Sequence, residues 1–123
     1  MKIKDLLIIK DSLYNLGNIL LPEPYTKYNY EVYKLIKIVE SELENFGTQQ
    51  YKIAKKYGTE NEDGNYTLEK SSPNFEQCTK ELNELTEIEV DIPLGNIIIN
   101  PSVISLKPID IYNLIEYKII KEE

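Results

Sequence analysis

The residue types that most often carry catalysis at neutral pH are sparse in this sequence. It has no histidine, no arginine and no tryptophan, so all fourteen positive charges are lysines. Without histidine the usual neutral-pH general base is missing. Without arginine there is no planar fork to grip a phosphate or carboxylate at two points. The one cysteine, Cys78, falls on an apolar helical stripe with only Lys80 as a nearby base. A nucleophilic cysteine needs a thiolate-stabilising setting, so Cys78 is expected to be a buried structural thiol. No serine lies in a G-x-S-x-G setting, and no phosphate loop, dinucleotide fingerprint or Cys/His zinc spacing occurs. The expectation is a non-enzymatic protein with no catalytic residue, no cofactor and no metal.

The carboxylates are the next candidates. Aligning Gly64 with the invariant glycine of a calcium-binding EF-hand loop puts Thr59 first and Lys70 twelfth. Those positions require Asp and a bidentate Glu, so 59–70 reads as a solvated turn. Glu87, Glu89 and Asp91 alternate with Ile88, Val90 and Ile92. On a strand they would project from one face about 7 Å apart. Glu81 and Glu84, on the helix before, extend the same acidic surface. Such a face could hold a magnesium or calcium ion or imitate the charge of a nucleic-acid backbone, which makes it a candidate partner-binding surface; the other reading is a solvent face whose charge blocks edge-to-edge aggregation. A second candidate is the tyrosine cluster Tyr25, Tyr28, Tyr30 and Tyr33, whose rings suit a partner surface, stacking on a base, or local packing.

Charge is unevenly spread. Residues 1–58 hold nine lysines and seven acidic residues, whereas 59–91 hold ten acidic residues and two lysines. The acidic part would repel a phosphate backbone, so direct nucleic-acid binding by it is not expected. The longest apolar runs fall far below the ~20 residues a membrane span needs, nothing resembles a secretory leader, and a lone cysteine forms no internal disulfide. The expected compartment is the cytoplasm, with no membrane partner.

The elements that must position these residues follow from periodicity. Leu6, Ile9, Leu13, Leu16 and Leu20 form one stripe of a helix over about 4–21, with Gly17 inside it and a Leu21-Pro22-Glu23-Pro24 corner behind it. Val32, Ile36, Val39, Leu43, Phe46, Gln50, Ile53 and Tyr57 repeat at spacings of four and three. They predict a long second helix capped by Asn29, stopped at Gly58 and weakest at Gly47-Thr48. The two helices should form an antiparallel hairpin over 1–58. Residues 59–123 form the acidic remainder of a single domain. There the spacing predicts a polar loop with an Asp-Gly turn, a short strand at 66–69, and a third helix capped by Ser72 with Pro73 first. A strand at 87–92, short strands at 97–99 and 103–104, and a last helix over 108–120 complete it. That last helix is apolar nearly all round, which predicts deep burial or a homo-oligomer interface, the helical hairpin being the other surface expected to support self-association. The fold class is therefore α+β, mostly α.

The order of features resembles that of small uncharacterised proteins encoded by phages and prophages of low-GC Gram-positive bacteria. The likeness is carried by the opening Met1-Lys2-Ile3-Lys4 helix, the Leu21-Pro22 corner and the stretch from Tyr57-Gly58 to Glu62-Asp63-Gly64-Asn65-Tyr66. Phe75, Lys80-Glu81-Leu82-Asn83-Glu84-Leu85 and Glu87-Ile88-Glu89-Val90 extend it. The abundance of Ile, Lys, Asn, Glu and Tyr, whose codons are AT-rich, agrees with such a genome. The resemblance implies a genomic setting and transfers no site. With it, the expected function is a phage-encoded binding protein that inhibits or redirects a host factor, such as a defence component. The alternatives are a virion structural or assembly protein and a protein that sequesters a small ligand such as a nucleotide.

Overall fold

The computed structural model describes residues 1–123. Helix α1 (Ile3–Gly17) exists because Leu6, Ile9, Leu13 and Leu16 recur at helical spacing, and all four are fully or almost fully buried. The Asp5 carboxylate accepts from the Lys2 backbone N–H at 2.9 Å, which satisfies a donor just ahead of the first turn. The helix stops at Gly17, short of the predicted residue 21. Leu20, placed on the apolar stripe by its spacing, is 83% exposed, while Leu21 turns into the core.

The corner at 21–27 leads into α2 (Tyr28–Tyr57), a helix of 30 residues and about 45 Å. Asn29 is not its cap. It lies inside the first turn, and its side-chain oxygen accepts from the Leu21 backbone N–H at 3.0 Å, tying the corner to the helix. Gly47 causes no interruption. Val32, Leu35 and Val39 bury the first half against α1, completing the predicted helical hairpin. At the far end Gly58 is extended, with φ −92° and ψ 173°. A Cβ there would lie 2.7 Å from the Ala54 carbonyl oxygen and 3.0 Å from that of Thr67, so glycine is required for close approach.

Strands β1 (Thr59–Glu60) and β2 (Tyr66–Thr67) pair antiparallel, so the polar loop closes into a small hairpin with Gly64 at φ +79°. Helix α3 (Phe75–Thr86) starts two residues later than the predicted Pro73. Ser72 instead makes a turn before it, its hydroxyl oxygen accepting from the Asn74 N–H at 3.3 Å. Cys78 and Leu85 are buried on the inner stripe of α3.

Residues 87–92 do not form the predicted strand. A lone antiparallel bridge joins Lys2 to Glu89, with the Ile3 N–H donating to the Ile88 carbonyl and the Val90 N–H to that of Met1. The ladder cannot lengthen because the opposing segment turns directly into α1. Next comes β3 (Ile97–Ile99), then a single 3-10 turn at Pro101–Val103 where part of a strand was predicted. Helix α4 (Pro108–Glu116) is shorter than the predicted 108–120. Lys118 adopts φ 63° and reverses the chain into β4 (Ile120–Glu122), which pairs parallel to β3. The apparent all-round apolarity of the last helix thus came from two elements. Leu114 is buried from α4, whereas Ile119 is buried just ahead of β4 and Ile120 at its start. Ile109 and Tyr112 point outward, each 60% exposed.

The fold is mostly α, with two small two-stranded sheets. Its main core of 16 buried residues draws on α1, α2, α4, both strands of the parallel pair, Leu21, Tyr25, Ile92 and Ile104. A smaller cluster of Ile3, Phe46 and Leu85 joins α1, α2 and α3. No helix is long and apolar enough to cross a membrane.

Candidate functional site

The acidic residues do not share one face. Glu81 leans from α3 toward α2, where Lys56 Nζ lies 3.1 Å from its Oε1. The Tyr57 hydroxyl, followed by Lys56, favours the charged form of Glu81 and lowers its pKa. Its buried Oε2 nevertheless has no hydrogen bond of full geometry. Glu84, one turn on along α3, is exposed to solvent beside Glu76 and Lys80 and makes no ion pair. Glu87, just past the helix end, is clasped by Lys2 at 2.6 Å and Lys4 at 2.7 Å. These two hydrogen-bonded ammonium groups hold its pKa at about 2. Glu89 Oε2 takes the Met1 amine at 3.0 Å, and Asp91 has no ion-pair partner. The predicted acidic surface therefore separates into a neutralised clasp at Glu87, a pair at Glu81, an exposed Glu84 and a rim at Glu89 and Asp91 in which only Glu89 is paired.

That rim belongs to a groove between the middle of α2 and the 85–91 segment, with a volume of about 290 Å³. Phe46, Leu85, Ile88 and Val90 supply apolar lining, and Glu42, Glu89 and Asp91 supply carboxylates. Asn45 and Gln49 add side-chain amides from α2. No lysine lines it. Glu42, Asn45 and Gln49 were not singled out from sequence. Their i, i+3, i+7 spacing flanking Phe46 was the available signal, since it places a polar stripe beside an apolar anchor.

The tyrosines also divide. Tyr25 is buried, stacks on Tyr28 with ring centroids 6.5 Å apart, and donates its hydroxyl to the Glu123 carboxylate. That carboxylate, followed by desolvation, pushes the Tyr25 pKa up and keeps the phenol protonated. Tyr30 and Tyr33 are exposed on α2, with Lys34 and Lys37 ammonium groups 5.0 and 5.5 Å from their ring centroids. The pair at the corner packs, and the pair on the helix faces solvent.

A further polar group, unrecognised from sequence, lies between α1 and α4. Buried Asp110 accepts from Ser12 Oγ at 2.8 Å and from Asn15 Nδ2 at 3.0 Å, while Asn113 Nδ2 donates to Ser12 Oγ at 3.3 Å. Such a network fixes the register of two helices. Elsewhere, no three carboxylate or thiolate side chains converge as a metal site.

No family model matches this chain, and no curated protein or solved structure matches it at a significant level.

Proposed function

We propose that this chain is a phage-encoded, non-enzymatic binding protein that inhibits or redirects a host factor, a defence component being one such target. The observation that carries the reading is the acid-rimmed groove. Glu42 and Asp91 stand beside exposed apolar surface with no cation paired to either. Apolar area ringed by unpaired charge of one sign suits selective association, because the apolar part supplies affinity and the charge rejects wrong partners. The acidity of 59–91 supports the same reading by disfavouring anionic partners. The working compartment on this proposal is the host cytoplasm.

The test is capture from host lysate by the immobilised protein, at low and high salt. A stoichiometric host protein, released by salt and weakened by charge reversal at Glu42 and Asp91, is the expected result. Absence of any stoichiometric partner would overturn the proposal.

A second reading has its own support. Ile109 and Tyr112 leave an apolar stripe of α4 uncovered, which suits self-association in a virion or assembly intermediate. Sedimentation that stays monomeric at high concentration, together with absence from purified particles, would remove it.

A further inference from the structure

We infer that the groove between α2 and the 85–91 segment receives a basic stretch of a partner protein, anchored by one arginine side chain; the inference rests on the binding-protein reading above. Size sets the first limit. A groove of about 290 Å³ lies at the lower edge of the range of about 300–1,000 Å³ typical of small-molecule sites. It has room for one long side chain.

Lining sets the second. Ile88 is 49% exposed beside buried Phe46 and Leu85, which gives an aliphatic stem something to lie on. Long cationic side chains cover apolar surface in this way while their heads stay at the polar edge.

Charge sets the third. Glu42, Glu89 and Asp91 all line the groove, and only Glu89 has an ion-pair partner, the Met1 amine. Lys2 and Lys4 are both engaged on Glu87. Nucleic acid and anionic lipid carry the same sign as this rim and are repelled, whereas a basic segment is drawn in. Arginine fits better than lysine, because its planar head can meet a carboxylate and the amide oxygens of Asn45 or Gln49 together.

The probe is a blocked Gly-Arg-Ala-Arg-Gly peptide titrated into the isotopically labelled full chain and followed by amide chemical shifts. Shifts should gather at Asn45, Gln49, Ile88 and Asp91. Glu42→Lys combined with Asp91→Lys should weaken binding roughly tenfold. Ile88→Ser, on an exposed side chain, should weaken it severalfold. Glu76→Lys with Glu84→Lys reverses equal charge on the outer face of α3 and should leave binding nearly unchanged. Circular dichroism of each variant checks that it folds.

Equal losses from the two double variants, or shifts away from the groove, would overturn the inference in favour of diffuse charge attraction. So would concentration-dependent self-association abolished by Glu42→Lys with Asp91→Lys, since the occupant would then be a second copy. A host partner held equally well by wild type and that variant would overturn the groove and spare the binding-protein reading. A peptide bound in the groove with no host partner captured would do the reverse.

Discussion

Ser12 Oγ donates to Asp110 Oδ1 at 2.8 Å across a separation of 98 residues. This bond joins the middle of α1 to the first turn of α4, and it is buried. Asp110→Ala would leave the Ser12 and Asn15 donors without their acceptor, at an expected loss of about 1–3 kcal/mol. Asp110→Asn keeps an acceptor oxygen and should recover part of that loss. Urea unfolding of both variants measures the difference. Equal stability of the alanine variant and wild type would mean that the donors find other partners.

Leu13 and Leu20 share a periodic stripe in the sequence but not in the fold. Leu13 is fully buried and Leu20 almost fully exposed. Leu13→Ala should cost about 2–5 kcal/mol by losing burial and leaving a cavity. Leu20→Ser should change stability by less than about 0.5 kcal/mol. Thermal denaturation of the two proteins side by side distinguishes them.

Gly58 is constrained by neighbours and not by its dihedral angles. An added methyl group would press on two backbone carbonyls, which cannot rotate away as a side-chain tip can. Gly58→Ala should therefore destabilise the protein by about 1–3 kcal/mol. Amide shifts would change at Ala54, Tyr66 and Thr67, whereas Gly47→Ala, which meets nothing, should be neutral or stabilising.

The Glu87 clasp makes a prediction in pH. Its carboxyl is held at about 2, below the ordinary glutamate value of about 4.3. A depressed folded-state pKa gives a contribution fully present at neutral pH, which fades as pH falls from about 4.3 through about 2. Carboxyl-detected NMR should find that low midpoint. Lys2→Ala should raise it, as should high salt, because the clasp is exposed and screened. A midpoint unmoved by Lys2→Ala would show that Lys2 does not cause the shift.

Helical periodicity made α1, α2 and α3 legible in the sequence, because each buries one stripe. The parallel pair was not. Ile119 and Ile120 continue the apolar pattern of α4, and the reversal that separates them from that helix falls on Lys118, a residue type that carries no turn signal. The alternation at 87–92 holds only over its second half, where Val90 is half-buried and Ile92 buried while Ile88 is exposed, and pairing stops after one bridge. Alternation reports which side is buried, not whether a partner strand is long enough. Two of the three rim carboxylates, Glu89 and Asp91, were visible. Glu42 was not, because an exposed carboxylate on a long helix looks ordinary until the fold sets it beside a distant segment.

The two clusters along α2 give one continuous helix two different local stabilities. Val39 belongs to the large cluster and Phe46 to the small one, with Ile53 the only apolar residue beyond them packed against either. Amide protons near Val39 should exchange with solvent only on global unfolding, whereas those past Gly47 should exchange through fraying that leaves α1 and α4 in place. Glu42, Asn45 and Gln49 straddle that boundary. A partner seated there would brace the loose end of the helix against the firm one, and would be detectable as slowed exchange at residues it never touches.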